Sequence, residues 1–291
     1  MGNVDVGAAI GASFRYIGEA WSKAWGIMLI LVWFTGTLQA IELLKPDWGF
    51  ATFLGAIATL FLTVAATGAL YRLSLTGDHP GDRAFAPGPA GLQWGGLEWR
   101  VMGANLIVGI GLGVLFVVLF LIWAVMVGVV VGLSGSPEIQ ALESGSQAEK
   151  TAALGRVMLG PAGLVSAIIG IPSVLGLLYL GARLALVAPV AADTRAFDFS
   201  KAWTLTRGAV LALILGSIVI FLLELVIGAV LGGVAGLAAA LTGNAGSGRV
   251  WGGIAGQTVS AAINAPLFAG LVLYVYRRQR GDTAVAAMIS W

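Results

Sequence analysis

Apolar and polar positions alternate along this chain on the scale of whole helices rather than single turns. Six stretches, near 26–44, 51–71, 103–133, 158–181, 209–241 and 251–276, are long and apolar enough to cross a bilayer, which takes roughly 20 residues. The polar breaks pair them. A short link of Lys45, Pro46, Asp47 and Trp48 joins the first two, a polar loop from Ser134 to Arg156 joins the next two, and "TGNAGSGR" joins the last. The pattern predicts an all-α integral membrane protein of six transmembrane helices arranged as three hairpins. The third and fifth stretches, about 31 and 33 residues or roughly 46 to 50 Å, exceed the hydrocarbon core and must tilt, kink or project. Irregularity is expected in their glycine-rich outer halves.

A shorter period precedes the odd-numbered helices. In "IGASFRYIGEAWSKAWG", Ile10, Phe14, Ile17, Trp21 and Trp25 recur at steps of four and three, so a helix gathers them on one face. In "TRAFDFSKAWTLTRG", Phe199 and Trp203 share a face while Lys201 and Arg207 offer cations. The middle copy, "GPAGLQWGGLEWRVMG", is interrupted by Pro87, Pro89 and glycines. These read as amphipathic helices lying in the membrane interface. The tetrapeptide "SKAW" opens two hairpins, at Ser22–Trp25 and Ser200–Trp203, and "LEWR" at Leu97–Arg100 is its altered form.

Each even-numbered helix ends on Leu-Tyr followed by arginine: Leu70, Tyr71 and Arg72; Leu178, Tyr179 and Arg183; Leu273, Tyr274 and Arg277. The pattern predicts one polytopic domain of three internal repeats, about 5–75, 90–185 and 195–285. Trp21, Trp25, Trp99, Trp203, Tyr71, Tyr179 and Tyr274 are the expected interfacial anchors. Arg72, Arg183, Arg277, Lys23 and Lys201 are the expected contacts to lipid headgroups.

Composition narrows the class. Of 291 residues, 58% are hydrophobic and only 10% charged, with a mean hydropathy of +0.94, far from a soluble domain with its charged quarter. A net charge of +2, thinly spread, forms no basic stripe for nucleic acid. The side bearing both termini holds 12 Lys and Arg against 4 on the other. Both termini are therefore expected in the cytoplasm, in a bacterial-type inner membrane. No cleaved signal peptide is expected, because the first apolar run follows an amphipathic stretch rather than a short basic segment. Cysteine is absent and His79 is the single histidine, so no metal site and no cofactor are expected.

The lead-in before the first helix and "RLALVAPVAADTRAFDFSKAWTLTRG" between helices four and five are together similar to a six-helix family. It contains the YciC-type proteins and the membrane domain found beside some glycerophosphodiester phosphodiesterases. In that group an Arg-Leu segment leads through a proline, here Pro189, into an acidic turn, here Asp193, and then a Ser-x-Ala-Trp-like helix start. The resemblance extends over most of the chain in topology and over about 30 residues around 183 to 208 in motif. It implies a fold rather than an activity, and the phosphodiesterase domain of some members is absent here.

Polar groups inside apolar runs are candidate sites by default. Glu224, in "SIVIFLLELVIGAVL", is the acidic residue deepest in such a run, and Gln39, Asn105, Gln257 and Asn264 are further intramembrane polar groups. They can bond between helices or line a pathway. Pro172 and Pro266 fall inside helices four and six and bend them. Gly109 with Gly113, Gly128 with Gly132, Gly228 with Gly232 and Gly236, and Gly252 with Gly256 form small-residue ridges that let helices approach closely. The loop with Asp78, His79 and Asp82 reads as a solvated turn or a weak cation site.

No nucleophile elbow, P-loop, HExxH or paired-carboxylate pattern is present, so an enzyme is not expected. The expected function is a scaffold or accessory subunit that packs against phospholipids and a membrane protein partner or a second copy of itself. One alternative is a transporter or channel using Glu224 with Asn105, Gln257 and Asn264, which gains if Glu224 faces a cavity. The other is a phospholipid-handling protein using the three equivalent arginines.

Overall fold

The computed structural model describes residues 4–45, 47–86, 88–133, 145–243 and 245–281. Its helices are α1 (Val6–Lys23), α2 (Trp25–Leu44), α3 (Gly49–Leu75), α4 (Gly96–Leu133), α5 (Gln147–Leu159), α6 (Pro161–Leu184), α7 (Val187–Thr194), α8 (Phe199–Leu205), α9 (Val210–Thr242) and α10 (Ala245–Arg280). Among the described residues there is no strand. Six segments are long and apolar enough to cross a membrane: Trp25–Leu44, Gly49–Asp78, Pro89–Val130, Pro161–Thr194, Val210–Thr242 and Val250–Arg280. The chain is a multi-pass membrane protein, and each predicted apolar stretch overlaps one of these segments, overrunning it by at most three residues.

The chain divides into two compact units, Met1–Leu106 with Ala182–Trp291, and Ile107–Gly181. In the first unit, α1 is capped by Asp5, whose carboxylate accepts from the Ala8 amide at 3.0 Å and satisfies a first-turn donor. The face of α1 that packs inward is small: Ala9, Ala12, Ser13, Tyr16 and Ala20 are buried. The bulkier Phe14 remains exposed. Gly270 of α10 lets α1 approach, because a Cβ there would stand 2.8 Å from Tyr16 Cβ and 3.0 Å from Ser13 Cα.

Two polar contacts fix the register of α1. The Tyr16 hydroxyl donates to the Leu70 carbonyl of α3 at 2.5 Å. Burial pushes this hydroxyl well above its usual titration range, so it stays protonated and keeps donating. The Trp21 indole donates to the Ala262 carbonyl at 3.1 Å. Ala262 stands four residues before Pro266, and proline has no N–H to offer that carbonyl. Trp21 supplies the missing donor. Trp21, an expected interfacial anchor, thus buttresses α10.

The irregularity expected in α4 and α9 does not occur: both run unbroken, over 38 and 33 residues. Glycine lowers helix propensity, yet in apolar surroundings a broken helix would leave backbone N–H and C=O groups without partners, which costs more. Of the ridge glycines, Gly252 packs on α9, where its Cβ would stand 3.0 Å from Ala235 Cβ. Gly109, Gly113, Gly128, Gly132, Gly228, Gly236 and Gly256 meet nothing within 4 Å. Their small size serves no helix packing in the described chain.

In the second unit, Phe116, Phe120 and Trp123 of α4 face Gly170, Ser173 and Val174 of α6 across an apolar pocket of about 230 Å³. Many apolar residues of this unit are exposed: Ile110, Val125, Leu164 and Ile168 are each more than 60% exposed. Where a polar loop was expected from Ser134, residues 134–144 lie outside those described, and α5 follows. Its start is a capping box, in which Ser146 and Glu149 exchange side-chain and backbone hydrogen bonds. Those bonds, first the Ser146 amide and then its hydroxyl, hold the Glu149 carboxyl below its ordinary range.

Candidate functional site

Two polar assemblies occupy the first unit, one at the end where α3 and α10 finish and one midway along the helices. At the end, Arg72 of α3 reaches Glu98 at the start of α4 with two parallel bonds, Nε to Oε1 at 2.8 Å and Nη2 to Oε2 at 2.5 Å. Both side chains are buried. The Gly95 amide donates to the same carboxylate at 2.8 Å, and Arg72 also donates to the Ala84 carbonyl. Gly68 leaves room for this pair, since a Cβ there would lie 2.8 Å from Glu98 Cγ.

A second node centres on Asp193 of α7. Its carboxylate accepts from the Tyr276 hydroxyl, from Arg280 Nη1 at 3.0 Å to both oxygens, and pairs with His79 Nε2 at 2.7 Å. The His79 ring stacks on Phe85 at 4.1 Å. Asp78 lies 3.0 Å from Arg280 and 3.5 Å from Arg277, and Asp82 pairs with Arg195. All three polar residues of the 78–82 loop thus have partners within the protein. The loop is a fastened strap rather than a solvated turn or a cation site.

The three equivalent arginines all turn inward. Arg183 Nη1 donates to the Trp203 carbonyl at 2.9 Å and to Thr206 Oγ1 at 3.2 Å, with its guanidinium 4.3 Å from the Trp203 ring centre. Arg72, Arg183 and Arg277 are each less than 8% exposed. A buried guanidinium must satisfy its N–H groups on protein acceptors, and the partners described for these three, headgroup contacts by expectation, lie within the protein. Lys23 is exposed beside Glu19, 2.9 Å away, and Lys201 is half-buried.

Among the expected anchors, Trp25, Trp99 and Tyr179 are exposed, Trp203 lies against Arg183, and Tyr71 and Tyr274 are buried in the bundle. For the two tyrosines, helix packing replaces the interface.

The midway assembly is a cleft of about 520 Å³ between α2, α3, α9 and α10. Glu224 lines it together with Gln257 and Asn264 of α10. Asn105 is exposed at the start of α4 and takes no part in the lining. Ser260 donates its hydroxyl to Glu224 Oε1. The opposite wall is a ladder on α3, Thr59, Thr63 and Thr67, with Thr35 of α2 and Ser217 of α9 completing the polar surface.

Thr59 and Thr67 return their hydroxyl protons to the helix, bonding the Gly55 and Thr63 carbonyls at 2.9 and 2.8 Å. Their oxygen lone pairs are left for the cleft. Threonine at every fourth position of an apolar helix is a legible sequence signal for this wall, and sequence reasoning passed over it. Among the described residues, no Lys, Arg or His forms an ion pair with Glu224.

No protein-family model, no curated protein and no solved structure matches the chain. The geometry of the two assemblies is therefore the basis for a functional reading.

Proposed function

We propose that the chain is a membrane transport or solute-binding protein whose site is the cleft around Glu224. One observation carries this reading: an intramembrane carboxylate opens into a largely apolar cleft with, among the described residues, no protein cation beside it. A group so placed is expensive in a membrane. A purely structural Glu needs a hydrogen-bond partner, which Ser260 provides, but it does not need about 520 Å³ of open space beside it. In this reading both termini face the cytoplasm, as the 12 to 4 distribution of Lys and Arg favours. The membrane is of the bacterial inner type.

The chain has no cysteine, which gives a clean test. Ser217→Cys and Thr63→Cys, made singly and reconstituted in liposomes, should react with a membrane-impermeant methanethiosulfonate reagent. Cysteine at the outward Val125 of the second unit should not. Inert cleft positions would overturn the reading.

The second unit favours a further role beside this one. Its outward apolar faces, Ile110 and Val125 on α4 with Leu164 and Ile168 on α6, fit a scaffold or accessory subunit that meets a membrane protein partner, and the resemblance to the YciC-like group is compatible with either role. Purification in native lipid with identification of bound proteins tests it: a chain that elutes alone counts against a stable partner. A lipid-handling role draws no support from the equivalent arginines, which are engaged within the protein.

A further inference from the structure

Resting on the reading of the cleft as a solute site, we infer that its occupant is a monovalent organic cation with an apolar body, bound in exchange for a proton on Glu224. Three observations lead there. Glu224 is the carboxylate of the lining, and among the described residues no cationic side chain lines the cleft to oppose a positive ligand. The walls beside it are apolar and aromatic, with Leu31, Phe221 and Phe268 among them, and aromatic faces attract quaternary ammonium and similar cations. The volume, about 520 Å³, is many times the roughly 30 Å³ share of one water and suits a molecule rather than a bare ion. In keeping with this, no group of three His, Cys, Asp or Glu capable of holding a metal occurs among the described residues.

The exchange balances. The exchange begins with an empty cleft and a proton on a Glu224 oxygen. When the cation enters, that O–H bond breaks, its electron pair stays on the carboxylate, and the proton leaves to water. One positive charge replaces another, and the ion is never left uncompensated in low dielectric. The titratable groups facing Glu224 are few. Tyr71 of α3 lines the cleft, whereas α2, α10 and the rest of α9 present hydroxyl, amide and apolar groups there. A proton and the cation therefore compete for one carboxylate.

The test uses tetraphenylphosphonium, a permanent cation that carries no proton of its own, and tetraphenylborate, its counterpart of the same shape and opposite charge. Both are applied to the full chain in detergent and in lipid nanodiscs. The expected results are saturable binding of one phosphonium per chain with release of about one proton to a pH dye. Affinity should weaken by up to about tenfold per unit as pH falls, the limit for one competing proton. Tetraphenylborate should not bind. Glu224→Gln should abolish binding and proton release, while Glu224→Asp, which keeps a carboxylate, should retain the release even if affinity shifts.

Equal binding of the two ions, or phosphonium binding without proton release and unchanged in Glu224→Gln, would overturn the cation exchange while leaving the cleft as a solute site. Failure of both ions to bind would also overturn it. Failure of the cleft reading itself is separable, because it shows as Ser217→Cys and Thr63→Cys closed to the water-borne reagent.

Discussion

The two polar assemblies of the first unit treat charge in opposite ways. In the assembly at the end of the bundle, Glu98, Asp193, Asp78 and Asp82 each meet a protein cation. In the cleft, Glu224 has a hydroxyl donor but, among the described residues, no cation. The difference separates charge used to hold elements together from charge held in reserve. A buried pair is closed to ligands because its lone pairs and protons are spent on one another. A lone carboxylate beside open volume keeps its capacity to bind.

The comparison breaks most sharply at Glu98. Glu98→Ala leaves the buried Arg72 guanidinium without its counter-charge, and removing one partner of a buried pair costs about 3 to 5 kcal/mol. Denaturation of the purified variant should register that loss, and a cost below about 1 kcal/mol would mean that Arg72 finds another acceptor.

Asp193→Asn keeps the shape of the node and removes its charge. Hydrogen bonds to charged groups are each worth about 1.5 to 3 kcal/mol, so a loss in that range is expected. The strap at 78–82 should become more open to proteolysis.

Gly270→Ala places a methyl against Tyr16 and Ser13, where overpacking costs about 1 to 3 kcal/mol. Faster hydrogen exchange confined to α1 would be its signature. Tyr16→Phe removes one donor from the Leu70 carbonyl and should cost about 1 kcal/mol.

Glu224→Gln lies at the far end of the scale. It keeps an acceptor for Ser260, and interhelical hydrogen bonds in membranes average about 0.6 kcal/mol, so unfolding should shift by no more than that. A large destabilisation at this position would place Glu224 with the structural charges and erase the contrast.

The six spans were legible because hydropathy over about 20 residues depends little on what packs against what. Glu224, Gln257 and Asn264 were legible one at a time, as polar groups in apolar runs, but their gathering into one cleft depends on how α9 turns toward α10. Asn105 has the same local signal and a different outcome, because it sits at the exposed start of α4. The partners of the arginines were not legible, for a physical reason. A cation at a helix end is equally suited to a headgroup and to a buried acceptor, and Glu98 gave no sign of being that acceptor, since one Glu in a mixed segment is ordinary. Trp21 looked like an anchor until the carbonyl released by Pro266 supplied it with a partner. The spacing of Thr59, Thr63 and Thr67 was in plain view and carried the wall of the cleft.

The clasps also differ in how soon a growing chain can close them. Arg72 and Glu98 are 26 residues apart, so their pairing can form as soon as the loop between the second and third spans has been synthesised. Asp193 lies 83 residues before Tyr276 and 87 before Arg280, and its node waits for the last helix to enter the membrane. The same chemistry thus gives the nascent protein an early fastening that holds its first helices in register, and a late one that closes only once α10 has been made.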